Sequence, residues 1–382
     1  MTPRTVLMVT NNYFPYQGGV AQSVHASTQA LLACGYNVKI VTLNIAGADQ
    51  DPDYVHRLPT VLPMEFKNNP IAVPWRTHAY LKELIETVQP DIIHAHHPWL
   101  LGHAALKIAR MRDCPVVFTH HTLYHAYTHY VPLPHKITSF LITQRLRTYY
   151  AQVDHIIAPS QAVAQAINTD QTETPISIVA SPIRSCFFTP EKALSTTTQP
   201  RKLLYVGRFV REKNMPAMLE AVALLPHGSY ELDAVGYGQL WHEIQTYAYD
   251  TLGLNPAHVR FHHKADQASL VAWYRQADLF LFPSSSDTQG LVLAEAMASG
   301  TPVIALDGPG QRSIINNGYN GYIVETVHEM AAAIERLTHD EQLLEKLSRG
   351  ARTTANNYTL ETHAQDLIAV YEMAIHTKKR LK

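Results

Sequence analysis

The stretch SSSDTQGLVLAEAMASGTPVIA, Ser284 to Ala305, sets a carboxylate on each side of a glycine at the mouth of an apolar run. Asp287 precedes Gly290 in a polar loop, and Glu295 stands eight residues after Asp287, inside LVLAEAMA. A helix starting near Gly290 leaves the N–H groups of Gly290, Leu291 and Val292 unpaired by the helix, free to face a phosphate. Glu295 lies inside that helix. An acid among apolar residues belongs there when it accepts hydrogen bonds, and a ribose offers two adjacent hydroxyl donors. Taken singly, Asp287 also suits a helix N-cap and Glu295 an exposed helix position.

Three other loops carry groups of the same kind. In NNYFPYQGGV (11–20), Gly18 and Gly19 let the backbone approach an anion as the next helix begins. The glycines alone suit a tight turn equally well, and the spacing is not the dinucleotide fingerprint G-x-G-x-x-G. In YVGRFVREKNMPAMLEAV (205–222), Arg208 and Lys213 stand between a strand and a helix expected to start near Met215. A guanidinium fork and an ammonium point charge both suit a diphosphate, whereas Arg211 reads as a solvated charge. VGYGQL (235–240) adds Gly238 at a further strand end, a weak signal alone.

The elements that position these loops follow a repeating rhythm. TVLMVT (5–10), NVKIVTL (37–43), DIIHAH (91–96), PVVFTHH (115–121) and HIIAPS (155–160) read as buried strands with helices between most of them. The Thr-, Ser- and Pro-rich segment 189–201 reads as a linker. The rhythm resumes with KLLYVGR (202–208), ELDAVG (231–236), VRFHH (259–263), DLFLFPS (278–284) and TPVIAL (301–306). Helices are expected over about 328–350 and 359–377. The reading is α/β throughout, with doubly wound domains over 1–188 and 202–358 and a C-terminal helical segment, 359–382, returning to the first domain. In such sheets ligands bind beyond the carboxyl ends of the strands.

Composition narrows the function classes. Hydrophobic residues make up 46% of the 382, enough for substantial cores. Lys and Arg number 31 against 32 Asp and Glu, which argues against a nucleic-acid partner. Cys34, Cys114 and Cys186 are scattered, so a disulfide framework is not expected and a reducing, cytoplasmic setting fits best. No stretch approaches the run of about 20 apolar residues a membrane span needs, so any membrane contact is expected to be peripheral.

THHTLYHAYTHYVPLPHK (119–136) is the most unusual segment. His121, His125 and His129 recur at i, i+4 and i+8, a spacing that puts neutral imidazoles on one helical face for a transition metal. Pro132 and Pro134 cut such a helix short. The favoured reading is an acceptor-side loop and helix with aromatic surface, and no metal site. KITSFLITQRLRTYY (136–150) mixes apolar, aromatic and basic residues, and Lys107, Arg110, Arg112, Lys136, Arg145 and Arg147 face only Asp113 between Trp99 and Val153. That pattern suits an interfacial helix against anionic lipid, to which the tail HTKKRLK (376–382) adds charge; core burial with solvated cations is the alternative.

Together these pieces resemble the family-4 retaining glycosyltransferases. The resemblance rests on the acid-x7-Glu block with GL in its middle, AEAMASGTPVIA after it, and GGV (18–20), PSQAV (159–163), VGRFVREKN (206–214), VGYG (235–238) and ADLFLFPS (277–284) in order. It implies the GT-B fold, two Rossmann-like domains facing across a cleft, and a nucleotide sugar as substrate, with no cofactor and no metal. It implies that Arg208 and Lys213 grip the donor diphosphate and that Glu295 holds the ribose. Gly290 and Leu291 would supply backbone donors, Gly18 and Gly19 the loop closing over the donor, and His121 a group at the sugar end. Asp287 stands where the family usually has Glu, near the sugar hydroxyls. HTLYHAYTHY also resembles the HT-x-Y-x-x-Y-x-HY stretch of glucosyltransferases acting on diacylglycerol, which implies acceptor-side roles for Tyr124, Tyr127 and His129. The expected activity is retaining transfer of glucose from UDP-glucose to a lipid. A soluble or polysaccharide acceptor, a GDP-mannose donor, and a nucleotide-sugar-binding module without turnover are the other readings.

Overall fold

The computed structural model describes residues 3–16, 18–45, 51–66, 69–121, 135–169, 172–190, 200–284 and 287–380. The chain divides into two compact units, Met1–Pro182 with Leu360–Lys382, and Ile183–Thr359. The first boundary lies at Pro182, earlier than the expected 188. Ile183 donates its N–H to the Tyr358 carbonyl (2.9 Å), and Arg352 donates to the carbonyls of Thr189 (2.6 Å) and Pro190 (3.1 Å). Residues on both sides of 188 are thus strapped to the second unit. Positions 191–199 of the expected linker lie outside the described residues.

Unit 1 runs β1 (Thr5–Val9), α1 (Gly19–Ala33), β2 (Asn37–Leu43), β3 (Val55–Leu58), β4 (Thr60–Phe66), β5 (Asn69–Pro74), α2 (Thr77–Val88), β6 (Ile92–Ala95), α3 (Leu101–Met111), β7 (Val116–Thr119), α4 (His135–Tyr150), β8 (His155–Ala158), α5 (Gln161–Thr169) and β9 (Ile176–Ile178). Seven of these strands form one sheet in the order β3-β2-β1-β6-β7-β8-β9, with every pairing parallel. Its central strands are buried along their whole length because helices cover both faces, so the apolar runs show no alternation. The antiparallel β4–β5 hairpin and the short β3 and β9 were not anticipated.

Unit 2 runs β10 (Arg201–Arg208), α6 (Met215–Ala223), β11 (Tyr230–Tyr237), α7 (Trp241–Thr246), β12 (Val259–His263), α8 (Gln267–Gln276), β13 (Leu279–Phe282), α9 (Leu291–Ala298), β14 (Val303–Leu306), α10 (Gln311–Ile314), β15 (Gly321–Val324), α11 (Val327–His339) and α12 (Glu341–Ala355). Six parallel strands take the order β12-β11-β10-β13-β14-β15. The helix expected over 328–350 is two helices. Asp340 breaks it, its carboxylate accepting from the N–H of Leu343 (2.9 Å) as the N-cap of α12. The last helix, α13 (Leu360–Arg380), belongs to unit 1. Its Leu367, Val370 and Tyr371 pack in one buried cluster with Val6, Met8, Val24 and Leu31.

Each sheet reverses its strand order once at its middle. In unit 1 the reversal is at β1, flanked by β2 and β6; in unit 2 it is at β10, flanked by β11 and β13. The crevice outside the carboxyl ends at such a reversal is where doubly wound sheets hold ligands. The loops that leave β1, β6, β10 and β13 are therefore the first places to look for a ligand site.

Candidate active site

In unit 2 the loops after β10 and β13 bring two of the expected residues into contact. Lys213 closes a single 3-10 turn, Arg211–Lys213, and its ammonium donates to both carboxylate oxygens of Asp287, each at 2.7 Å. The ammonium also sits 5.6 Å from the centroid of the Phe282 ring. Asp287 is neither an N-cap nor a solvated acid: α9 is capped by Gly290 with no side-chain bond. In this structure its carboxylate holds the lysine, whereas the family resemblance implies a place near the sugar hydroxyls. Arg208, at the end of β10, is half-exposed and lies 3.5 Å from the Glu212 carboxylate. Each cation thus has a carboxylate beside it.

Backbone packing explains the shape of these loops. Gly290 has φ 67°, a left-handed conformation that strains any residue with a Cβ, and it turns the chain into α9. The first turn of α9 contains no acid, so its free N–H groups keep their attraction for an anion. Ser284 is fully buried; its hydroxyl donates to the Glu212 carbonyl (3.3 Å) and its carbonyl accepts from Gln311 Nε2, tying the two loops together. Gly310 lies so close to the Asp287 carbonyl that a Cβ there would approach it to 2.7 Å. Gln311 and Gly310, in the loop after β14, were missed in the sequence; the punctuation DGPG (307–310) was the signal that could have found them. Gly238 follows β11, and a Cβ on it would run into the Phe209 backbone, so the glycine keeps this turn tight against the loop after β10.

Glu295 is partly buried in α9, and the hydroxyl of Tyr274, on α8, donates to its Oε2 at 2.9 Å. Burial pushes the Glu295 carboxyl up to about 7, opposed by the Tyr274 hydrogen bond and by the charge of Arg184. Tyr274 is itself fully buried. Tyr274 lies in none of the motifs read from the sequence. Leu291 opens α9 beside Gly290, as expected.

In unit 1, Gly18 caps α1 in an extended conformation and Gly19 is its first residue; a Cβ on Gly19 would meet nothing within 4 Å. The first turn of α1 also lacks an acid. His121 follows β7 and its Nε2 lies 2.9 Å from Nδ1 of His96, at the end of β6. His97 accepts the N–H of Asn11, from the loop after β1, at 3.1 Å. Burial, reinforced by neighbouring imidazoles, holds His96 and His121 well below the usual histidine range; burial alone lowers His97 to about 4. Tyr124, Tyr127, His125 and His129 lie outside the described residues. Among the described residues no cluster of three or more His, Cys, Asp or Glu has a metal-binding arrangement, and no helix is long and apolar enough to cross a membrane.

Comparison with known proteins agrees with this fold. The model of Glycosyltransferase Family 4 matches residues 17–184, and that of Glycosyl transferases group 1 matches residues 189–354. Alpha-monoglucosyldiacylglycerol synthase of Streptococcus pneumoniae is 29% identical over 341 residues, 86% of this chain and 76% of that protein. Glycogen synthase of Mycobacterium tuberculosis is 28% identical over 406 residues, 96% and 94% of the two chains. The crystal structure of Anabaena HepE in complex with UDP and glucose has a TM-score of 0.73 at 14% identity, covering 97% of this chain and 99% of that one. With its two parallel-sheet Rossmann-like units and matching family models along most of its length, the chain belongs to the family-4 glycosyltransferases of the GT-B class.

Proposed function

We propose that the protein is a retaining, metal-independent hexosyltransferase that moves glucose from UDP-glucose to a diacylglycerol-type lipid at a cytosolic membrane face. The observation that carries the reading is the Lys213–Asp287 contact at the carboxyl end of the switch-point strand, with Arg208 on the same strand end and Glu295 on the helix that follows. Glu295 accepts the ribose hydroxyls. Arg208, Lys213 and the amides that open α9 take the negative charge of the departing diphosphate. Two cations and a helix N-terminus supply this without a divalent ion. The bond from sugar C1 to the phosphate oxygen breaks, the bond to the acceptor oxygen forms on the same face, and the acceptor proton passes to the leaving phosphate.

The lipid acceptor is supported by α4. Its Leu146, Tyr149 and Tyr150 are buried in the unit 1 core, while Ile137, Phe140 and Leu141 expose 52%, 61% and 50% of their surface. Lys136 and Arg145 flank that triplet and are exposed. The wider basic field is smaller than the sequence suggests. Arg112 pairs with Glu86, Arg110 donates to Gln152, and Lys378 in the tail is 3.0 Å from Asp154. The likeness to a glucosyldiacylglycerol synthase points the same way, while the likeness to a glycogen synthase along nearly the whole chain favours a second reading, a polysaccharide acceptor. Flotation with vesicles of anionic lipid and diacylglycerol tests the first. Co-flotation lost on substituting Ile137, Phe140 and Leu141 by Ser is expected; a protein that stays with the soluble fraction supports the second.

A further inference from the structure

His94, His96 and His121 form a ladder of imidazoles inside unit 1. His94 has both ring nitrogens engaged, Nδ1 with the Tyr371 hydroxyl of α13 (2.7 Å) and Nε2 with the Thr119 hydroxyl of β7 (2.6 Å). Its ring centroid lies 4.1 Å from that of His96, which stacks in turn on His121 at 5.2 Å and 22°. His96 is 1% exposed. Its Nδ1 meets His121 Nε2 at 2.9 Å, and its Nε2 is sealed from solvent with no hydrogen-bond partner among the described residues.

That orphan nitrogen decides who owns the proton between the rings. Burial keeps both imidazoles neutral, so each carries one N–H. If His121 donated from Nε2, His96 would have to carry its own proton on Nε2, a buried N–H with nothing to receive it. If His96 donates from Nδ1, its Nε2 is left with only an unused lone pair. Orphaned buried N–H groups are the rarer and more costly case. We propose that His96 is a positioning residue that donates from Nδ1 to His121 Nε2 and fixes His121 as its Nδ1–H tautomer, ready to donate to a sugar oxygen. The fixed tautomer follows from unit 1 alone; only its use on a sugar rests on the transferase reading.

The test is nitrogen NMR on the full chain with ¹⁵N-labelled histidine, His121 being assigned by the signal lost in His121→Gln. In the unmodified protein His121 is expected as the Nδ1–H form, the one that imidazole in water disfavours. His96→Phe keeps a stacking ring but removes the donor. It should release His121 toward Nε2–H and lower kcat with UDP-glucose and diacylglycerol vesicles, on the order of tenfold to a hundredfold, with KM little changed. His96→Asn sets an amide where Nδ1 was and should restore both. An Nε2–H His121 in the unmodified protein overturns the inference, and so does an unchanged tautomer in His96→Phe. Absence of turnover in the unmodified protein would instead count against the transferase reading and leave the tautomer result standing.

Discussion

Lowering the pH from 8 to 6 is expected to weaken UDP-glucose binding about tenfold, through Glu295. Burial raises its carboxyl in the free protein to about 7, from an ordinary value of 4.5. Under the proposed function, ribose hydroxyls donate to the ionised form, so bound donor would lower the carboxyl again. Affinity therefore rises with pH up to about 7 and levels off above it. The same shift works against folding: ionising a desolvated carboxylate costs stability as pH climbs from 4.5 to about 7. Tyr274 sharpens the test. Its hydroxyl donates to Glu295 Oε2 at 2.9 Å, and a hydrogen bond to a charged group is worth roughly 1.5–3 kcal/mol, about one to two pH units. Tyr274→Phe should move the midpoint to about 8 or above, weakening binding at pH 7 about fivefold while alkaline pH restores it. Glu295→Gln should bind weakly with no pH dependence. Calorimetric titration of UDP-glucose without acceptor reads all three, because its diphosphate diester does not itself titrate here. His94, His96, His97 and His121 are held below their ordinary range by burial and add no slope. A flat wild-type profile between pH 6 and 8, or a Tyr274→Phe defect that alkaline pH leaves in place, would refute the role of Glu295.

Lys213→Ala and Arg208→Ala should each lower kcat on the order of a hundredfold or more if, as proposed, they take the charge of the leaving group; single-turnover rates within a few-fold of wild type would remove them from that role. Asp287→Glu should keep or raise activity, with the longer arm still reaching Lys213; an inactive, well-folded variant would mean that the Asp–Lys distance is itself required. Gly290→Ala should cost about 1–2 kcal/mol in denaturant unfolding for a left-handed residue, before any clash with Leu293. Replacing Ile137, Phe140 and Leu141 by Ser should remove about 3 kcal/mol of half-exposed apolar surface, about a hundredfold in vesicle partitioning.

The parallel strands were legible because burial on both faces leaves unbroken apolar runs, as in DLFLFP around β13. The start of α6 at Met215 and the turn into α9 at Gly290 were legible from punctuation in the same way. The break at Asp340 was not, because periodic apolar positions continue across it and only the cap marks it. The β4–β5 hairpin carries no turn dipeptide of the familiar kind at FKNNP (66–70). The cations and carboxylates of the site were nameable by type and spacing, but their pairing was not. Lys213 and Asp287 are 74 residues apart, and Tyr274 meets Glu295 only because α8 packs beside α9. His94 and His96 were passed over as strand residues, although positions i and i+2 of a strand share a face.

The most direct test of the central claim is a panel of nucleotide sugars incubated with the protein and diacylglycerol-containing vesicles, with products read by mass spectrometry and the anomer by NMR. A single hexose on diacylglycerol is expected, α-linked, with UDP-glucose as donor and Arg208 and Lys213 both required. No glycolipid from any donor, with sugar released to water or built onto a soluble glycan instead, would contradict it.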